Sequence, residues 1–122
     1  MAKCEEGYLC EVCSGDVEHL RDSGLYLQYV IGWIDPETLH TRRECHIRCL
    51  PALAQFIDDP RFSPGVQIEG EFSRARLDAA FVAERAALVT RGYQRLCELD
   101  SLRDRPAVIE YLLPEVAHKW RS

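Results

Sequence analysis

Asparagine is missing altogether from this 122-residue chain, lysine occurs only at Lys3 and Lys119, and no apolar run approaches the length of a membrane span. Each absence removes a class of function. Without Asn, the usual catalytic triad of an HNH nuclease cannot be complete. The longest apolar run, Leu25 to Ile34, is broken by Gln28 and falls far short of the roughly 20 residues a bilayer requires. The opening Met1-Ala2-Lys3-Cys4-Glu5-Glu6 contains no apolar signal region, so a cytoplasmic location and no membrane partner are expected. There is no Gly-rich phosphate loop and no G-x-S-x-G elbow. Also missing are the helical H-E-x-x-H of metalloproteases and the H-x-E and P-C-x-x-C pair of zinc deaminases.

What remains is an ordinary globular composition, 47% hydrophobic and 29% charged, with a net charge of -5 that gives no general attraction to nucleic acid. Residues 1–60 carry 5 basic and 11 acidic side chains, and residues 61–122 carry 10 and 9, so any basic surface has to be local. Six cysteines in a chain expected to stay in a reducing compartment read as metal ligands or buried thiols rather than disulfides.

Two cysteine-containing pairs share one spacing, Cys10-Glu11-Val12-Cys13 and His46-Ile47-Arg48-Cys49. A tetrahedral zinc ion takes four N or S donors, and each pair supplies two from one tight turn, so Cys10, Cys13, His46 and Cys49 are the expected ligands. Cys45 stands one helical turn from Cys49 and is the alternative to His46 in a four-cysteine site. With four protein donors such a site is closed, which makes the metal structural rather than catalytic. Cys4, His19 and His40 could only outline a second site, and surface roles are expected for them. Cys97 reads as a core thiol. Glu44 is placed to orient a ligand from behind, or to lie at the surface.

Between the two pairs, Leu25 to Ile34 is rich in Tyr, Val, Ile and Trp and predicts a strand. Asp35-Pro36-Glu37-Thr38 predicts a turn, and Leu39 to Arg43 a returning strand. Gly15 is expected to take a positive backbone angle in the first ligand loop. Leu50, Leu53, Ala54 and Ile57 follow helical spacing, with Pro51 in the first turn. A loop over 60–72 is expected to hold a short strand through Val66, Ile68 and Phe72. Ser73 predicts the cap of a long helix reaching Leu102, with Gly92 as a possible break. Pro106 predicts a last helix that Pro114 divides.

The order of knuckle, hairpin and helix carrying the second ligand pair resembles the treble-clef zinc fingers over Cys10 to about Ile57. That resemblance implies Cys10 and Cys13 as knuckle ligands and His46 and Cys49 as helix-turn ligands. The expected fold class is α+β, a zinc-stapled β-hairpin and helix module over 1–60 followed by a C-terminal helical hairpin over 61–122, as two parts or one domain. The expected function is a protein-interaction or adaptor module, with Tyr26, Tyr29, Trp33 and Trp120 offering an apolar patch to a protein partner. The alternative is nucleic-acid binding through Arg42, Arg43, Arg48, Arg74 and Arg76. A third reading, a zinc-stapled enzyme with an unrecognised site, has no motif behind it. Asp58-Asp59 and Glu69 with Glu71 are expected to be solvated charge.

Overall fold

The computed structural model describes residues 9–117, apart from the side chain of His40; Cys4 and Trp120 lie outside these residues. The described residues form four α-helices, α1 (Gly24–Val30), α2 (Pro51–Ala54), α3 (Ala79–Asp100) and α4 (Pro114–Ala117), joined by loops and single 3-10 turns. They contain no β-strand, only two isolated bridges, Leu9 with Asp16 and Ser23 with His46.

The expected β-hairpin, and with it the α+β class, is therefore overturned. Leu25 to Val30 coils into α1 because both ends of that segment carry helix signals. At its start the Ser23 hydroxyl accepts the Tyr26 N–H at 3.0 Å. At its end Gly32, at φ +85°, donates to the Tyr29 carbonyl and Trp33 to the Gln28 carbonyl, the paired bonds of a Schellman motif. Leu25, Tyr26, Leu27, Tyr29 and Val30 are all buried, so the helix shows no polar face in its sequence. A short run apolar on every side fits a buried helix as well as a strand. A seven-residue helix is not stable by propensity alone, and packing holds this one. The Asp35–Thr38 turn forms, with Thr38 donating to the Asp35 carbonyl at 3.0 Å, but it leads into a 3-10 turn at Leu39–Thr41 and not a strand.

Helix α3 is the long element against which α1 packs, burying Ala86, Val89, Tyr93, Leu96 and Leu99. Gly92 does not break it. A Cβ there would lie 2.5 Å from Ile31 Cγ2 and 2.9 Å from Leu27 Cδ1, so the glycine is what lets the two helices approach. Ser73 caps only the 3-10 turn Arg74–Arg76, and Asp78 caps α3 by accepting the Phe81 N–H at 3.0 Å.

The C-terminal helical hairpin is also corrected. After α3 the chain returns as a 3-10 turn, Val108–Tyr111, and then α4, whose first residue is Pro114. Leu113 donates to the Val30 carbonyl at 3.1 Å, and the Arg95 guanidinium donates to the carbonyls of Glu110 and Tyr111, so a backbone bond to α1 and side-chain bonds from α3 hold this segment in place of the expected helix. Residues 63–69 form neither helix nor strand, and Phe72 is 67% exposed, so the short strand expected there is absent as well.

Candidate metal centre

The first ligand arm closes on itself: Ser14 donates to the Cys10 carbonyl and Cys10 to the Gly15 carbonyl, both at 2.8 Å. The positive backbone angle this loop needs falls on Ser14, at φ +65°, and not on Gly15. A Cβ at Gly15 would stand in ordinary contact, 3.4 Å from Cys13 Sγ and 3.5 Å from His46 Cε1, beside the candidate ligands.

The second arm is a 3-10 turn, Ile47–Cys49, with His46 before it and Pro51 opening α2 just after. The arms are joined by Glu11 N–H to the Glu44 carbonyl at 3.0 Å. Gly24, at the start of α1, donates to the Cys45 carbonyl at 2.7 Å, which ties the second arm to the core.

These turns bring one donor atom each from Cys10, Cys13, His46 and Cys49 within 4.8 Å of one another, close enough to hold a metal ion. His46 Nδ1 is 3.3 Å from Cys13 Sγ and 3.8 Å from Cys49 Sγ. Its Nε2 lies 2.7 Å from the Asp16 carbonyl, which can only accept, so Nε2 carries the proton and the Nδ1 lone pair faces the thiols. Cys10 is buried, Cys49 and His46 are half-buried, and Cys13 is exposed. Cys10 Sγ accepts N–H groups from Val12 at 3.3 Å and His46 at 3.4 Å.

Burial acts to raise the Cys10 thiol, but N–H groups of Cys13, His46 and Val12, with the Cys49 thiol, outweigh it and bring it down to about 6. Burial, reinforced by Cys10 and Cys13, pushes Cys49 up to about 12. For His46 burial acts downward, yet the Asp16 carbonyl and the thiols of Cys10 and Cys13 raise it overall. The lowered thiol of Cys10 thus favours the thiolate, the form in which a thiol binds metal, while Cys49 favours the neutral thiol.

Cys45 is not one of the four. It is 3% exposed beside Val17 and Cys10, and burial, with Glu44 next, pushes its thiol up to about 12. Glu44 is buried rather than at the surface. It binds the Ser23 hydroxyl at 2.7 Å and the Cys45 N–H at 3.1 Å, and its second oxygen has no partner among the described residues. His19 is exposed and outside the group, and Cys97 is buried in the core, with the Tyr93 hydroxyl beside it.

Of the described residues of the expected patch, Tyr26 and Tyr29 are buried at 4% and 0%, and Trp33 is exposed. Among the arginines, Arg74 forms a two-pronged pair with Asp58, and Arg48 donates to the Pro64 carbonyl and lies 4.1 Å from the Phe62 ring. Arg42, Arg43 and Arg76 are exposed. Asp59 is not solvated: it is buried and bound by Arg61 and Gln94. Glu69 and Glu71 are exposed. Among the described residues no helix is long and apolar enough to cross a membrane.

No family model matches the chain, and comparison with curated proteins and with solved structures likewise finds no match. The four-residue group fits a zinc-finger-like site. The hairpin that would define a treble clef is replaced by α1 and a 3-10 turn.

Proposed function

We propose that Cys10, Cys13, His46 and Cys49 hold one Zn2+ as a closed structural site in an intracellular protein-interaction module. The ligand spacing carries the zinc reading. A tetrahedral ion with Zn–N of about 2.0 Å and Zn–S of about 2.3 Å has three N–S edges of about 3.5 Å; those from His46 Nδ1 to Cys13 and Cys49 are 3.3 Å and 3.8 Å, and all four donors lie within 4.8 Å of one another. Three sulfurs and one imidazole favour zinc over hard cations. Four protein donors leave no open position for a reacting water, so the ion shapes the fold and does no chemistry.

Its stabilising effect is large: a ligand that binds only the folded chain, at about 1,000 times its Kd, contributes about 4 kcal/mol. The ion joins two loops that have no strand ladder between them. The interaction reading is supported by aromatic side chains that the fold leaves at its surface, Trp33 at 40% and Phe81 at 42% exposed. Nucleic-acid binding through Arg42, Arg43, Arg48, Arg74 and Arg76 has less support, because Arg74 is already neutralised by Asp58 and Arg48 is engaged by Pro64 and Phe62.

Elemental analysis with thermal melting of the full chain tests the site. One zinc per chain is expected in the wild type and in Cys45→Ser, lost together with stability in Cys10→Ser, His46→Ala and Cys49→Ser. Protein purified without chelator that carries no metal, or a His46→Ala variant that keeps zinc while Cys45→Ser loses it, would overturn the assignment.

A further inference from the structure

Trp33, in the turn that follows α1, and Phe81, in the first turn of α3, reach the surface and meet at one side chain, Arg85. Its guanidinium carbon lies 4.5 Å from the Trp33 ring centre and 4.7 Å from that of Phe81. Both rings are held in place. The backbone of Trp33 is fixed by the Schellman bond from its N–H to the Gln28 carbonyl, and its ring lies against Arg85. Phe81 gives its N–H to Asp78 and packs edge-on to the buried Phe56, with ring centres 6.4 Å apart. Phe81, Arg85 and Leu88 follow one another at i, i+4 and i+7, a face of α3 beside the core-facing row Ala86, Val89, Tyr93. With Trp33 and Glu84 they line a cavity of 160 Å3.

The arrangement is incomplete in one respect. Six ion pairs form among the described residues and none includes Arg85, although Glu84 is its neighbour in the chain. Aromatic faces attract the cation but leave its N–H fork, the part that matches a carboxylate, without an acceptor.

We propose that Trp33, Phe81, Arg85 and Leu88 form a docking site for an acidic segment of a partner protein, one carboxylate on Arg85 and an adjacent apolar side chain in the cavity. This rests on the interaction-module reading. A protein segment fits better than nucleic acid because the site offers a single cation between apolar walls, which matches one carboxylate beside an apolar side chain. Nucleic acid binds through many phosphate contacts and gains little from one.

The test is selection of a phage-displayed random peptide library against the zinc-loaded full chain, followed by calorimetry of the enriched peptide with wild type, Arg85→Gln, Arg85→Lys and Trp33→Ala. Enriched peptides should carry Asp or Glu beside an apolar residue. Arg85→Gln should weaken binding about tenfold or more, as loss of a charge-assisted bond requires. Arg85→Lys, which keeps the charge without the planar fork, should fall between, and Trp33→Ala should also weaken binding. Melting of each variant checks that it is folded; Arg85 is partly exposed, so the substitutions leave the core intact. Peptides without an acid, or binding indifferent to Arg85, would overturn this site while the interaction reading stands. No enrichment at all would overturn both and leave the zinc site untouched. A single-stranded oligonucleotide that binds more tightly than the peptide and depends on Arg85 would replace the protein occupant with nucleic acid.

Discussion

The Ser23 hydroxyl donates to Glu44 Oε1 at 2.7 Å while accepting the N–H of Tyr26, so one buried oxygen caps α1 and also holds the residue that precedes Cys45 and His46. The second arm of the candidate metal centre and the core helix are joined at this point. Both side chains are essentially inaccessible, at 0% and 2% exposure. Ser23→Ala removes the cap, worth about 1 kcal/mol, and one of the bonds to a buried carboxylate, worth about 1.5–3 kcal/mol. A loss of about 2.5–4 kcal/mol in urea unfolding is expected, and a change below about 0.5 kcal/mol would show that the two elements are not coupled here.

Gly92→Ala sets two effects against each other. Alanine favours a helix interior by about 1 kcal/mol. Its Cβ, however, would sit 2.5 Å from Ile31 Cγ2 in a packed core, and overpacking costs about 1–3 kcal/mol. Net destabilisation and a lower melting temperature are expected. A raised melting temperature would mean that α1 and α3 do not pack this closely.

At Gly15 the measured space predicts a graded result. An added Cβ meets Cys13 Sγ at 3.4 Å and His46 Cε1 at 3.5 Å, ordinary contact distances, so Gly15→Ala should keep its metal. Gly15→Val adds two methyl groups beside the donors and should weaken zinc affinity in a chelator competition. Equal affinity in both variants would place Gly15 away from the ion.

Asp59 gives the pH dependence. Bonds from Arg61 hold its carboxyl well below the usual carboxylate range, against the opposing effect of burial, with Gln94 assisting. A depressed carboxyl contributes stability that is present above the unfolded value, near 3.8, and is lost as pH falls through the folded one. Asp59→Asn should therefore be less stable at pH 7, by about 1–3 kcal/mol. The difference from wild type should shrink as the solution is acidified below about pH 4. Taking the difference between the two proteins removes acid release of metal, which both share. A difference constant with pH would mean that the Asp59 charge is not what stabilises the fold.

The ligand group was legible because each half is local. A two-residue gap in one turn places two donors together whatever the surrounding fold, so Cys10 with Cys13 and His46 with Cys49 could be read as pairs. Other features depended on neighbours distant in the chain. Leu25 to Val30 has strand-forming residues, yet the Ser23 cap and the Gly32 turn coil it, and contact with α3 buries it on every side. Tyr26 and Tyr29 could not be told from surface aromatics until that burial was known. Gly15 was noticed for its backbone freedom, but the positive angle of the loop falls on Ser14, and Gly15 lies beside Cys13 and His46.

By itself, then, the sequence determined the donor types, their pairing by local turns, and the helix start at Pro51, because those depend on residues within a few positions of one another. Only the tertiary structure decided that the two pairs meet, that Cys45 and Glu44 turn inward while His46 turns toward the thiols, and that Arg85 sits against Trp33 and Phe81. Those outcomes come from packing between segments far apart in the chain, where burial and close contact outweigh local preference.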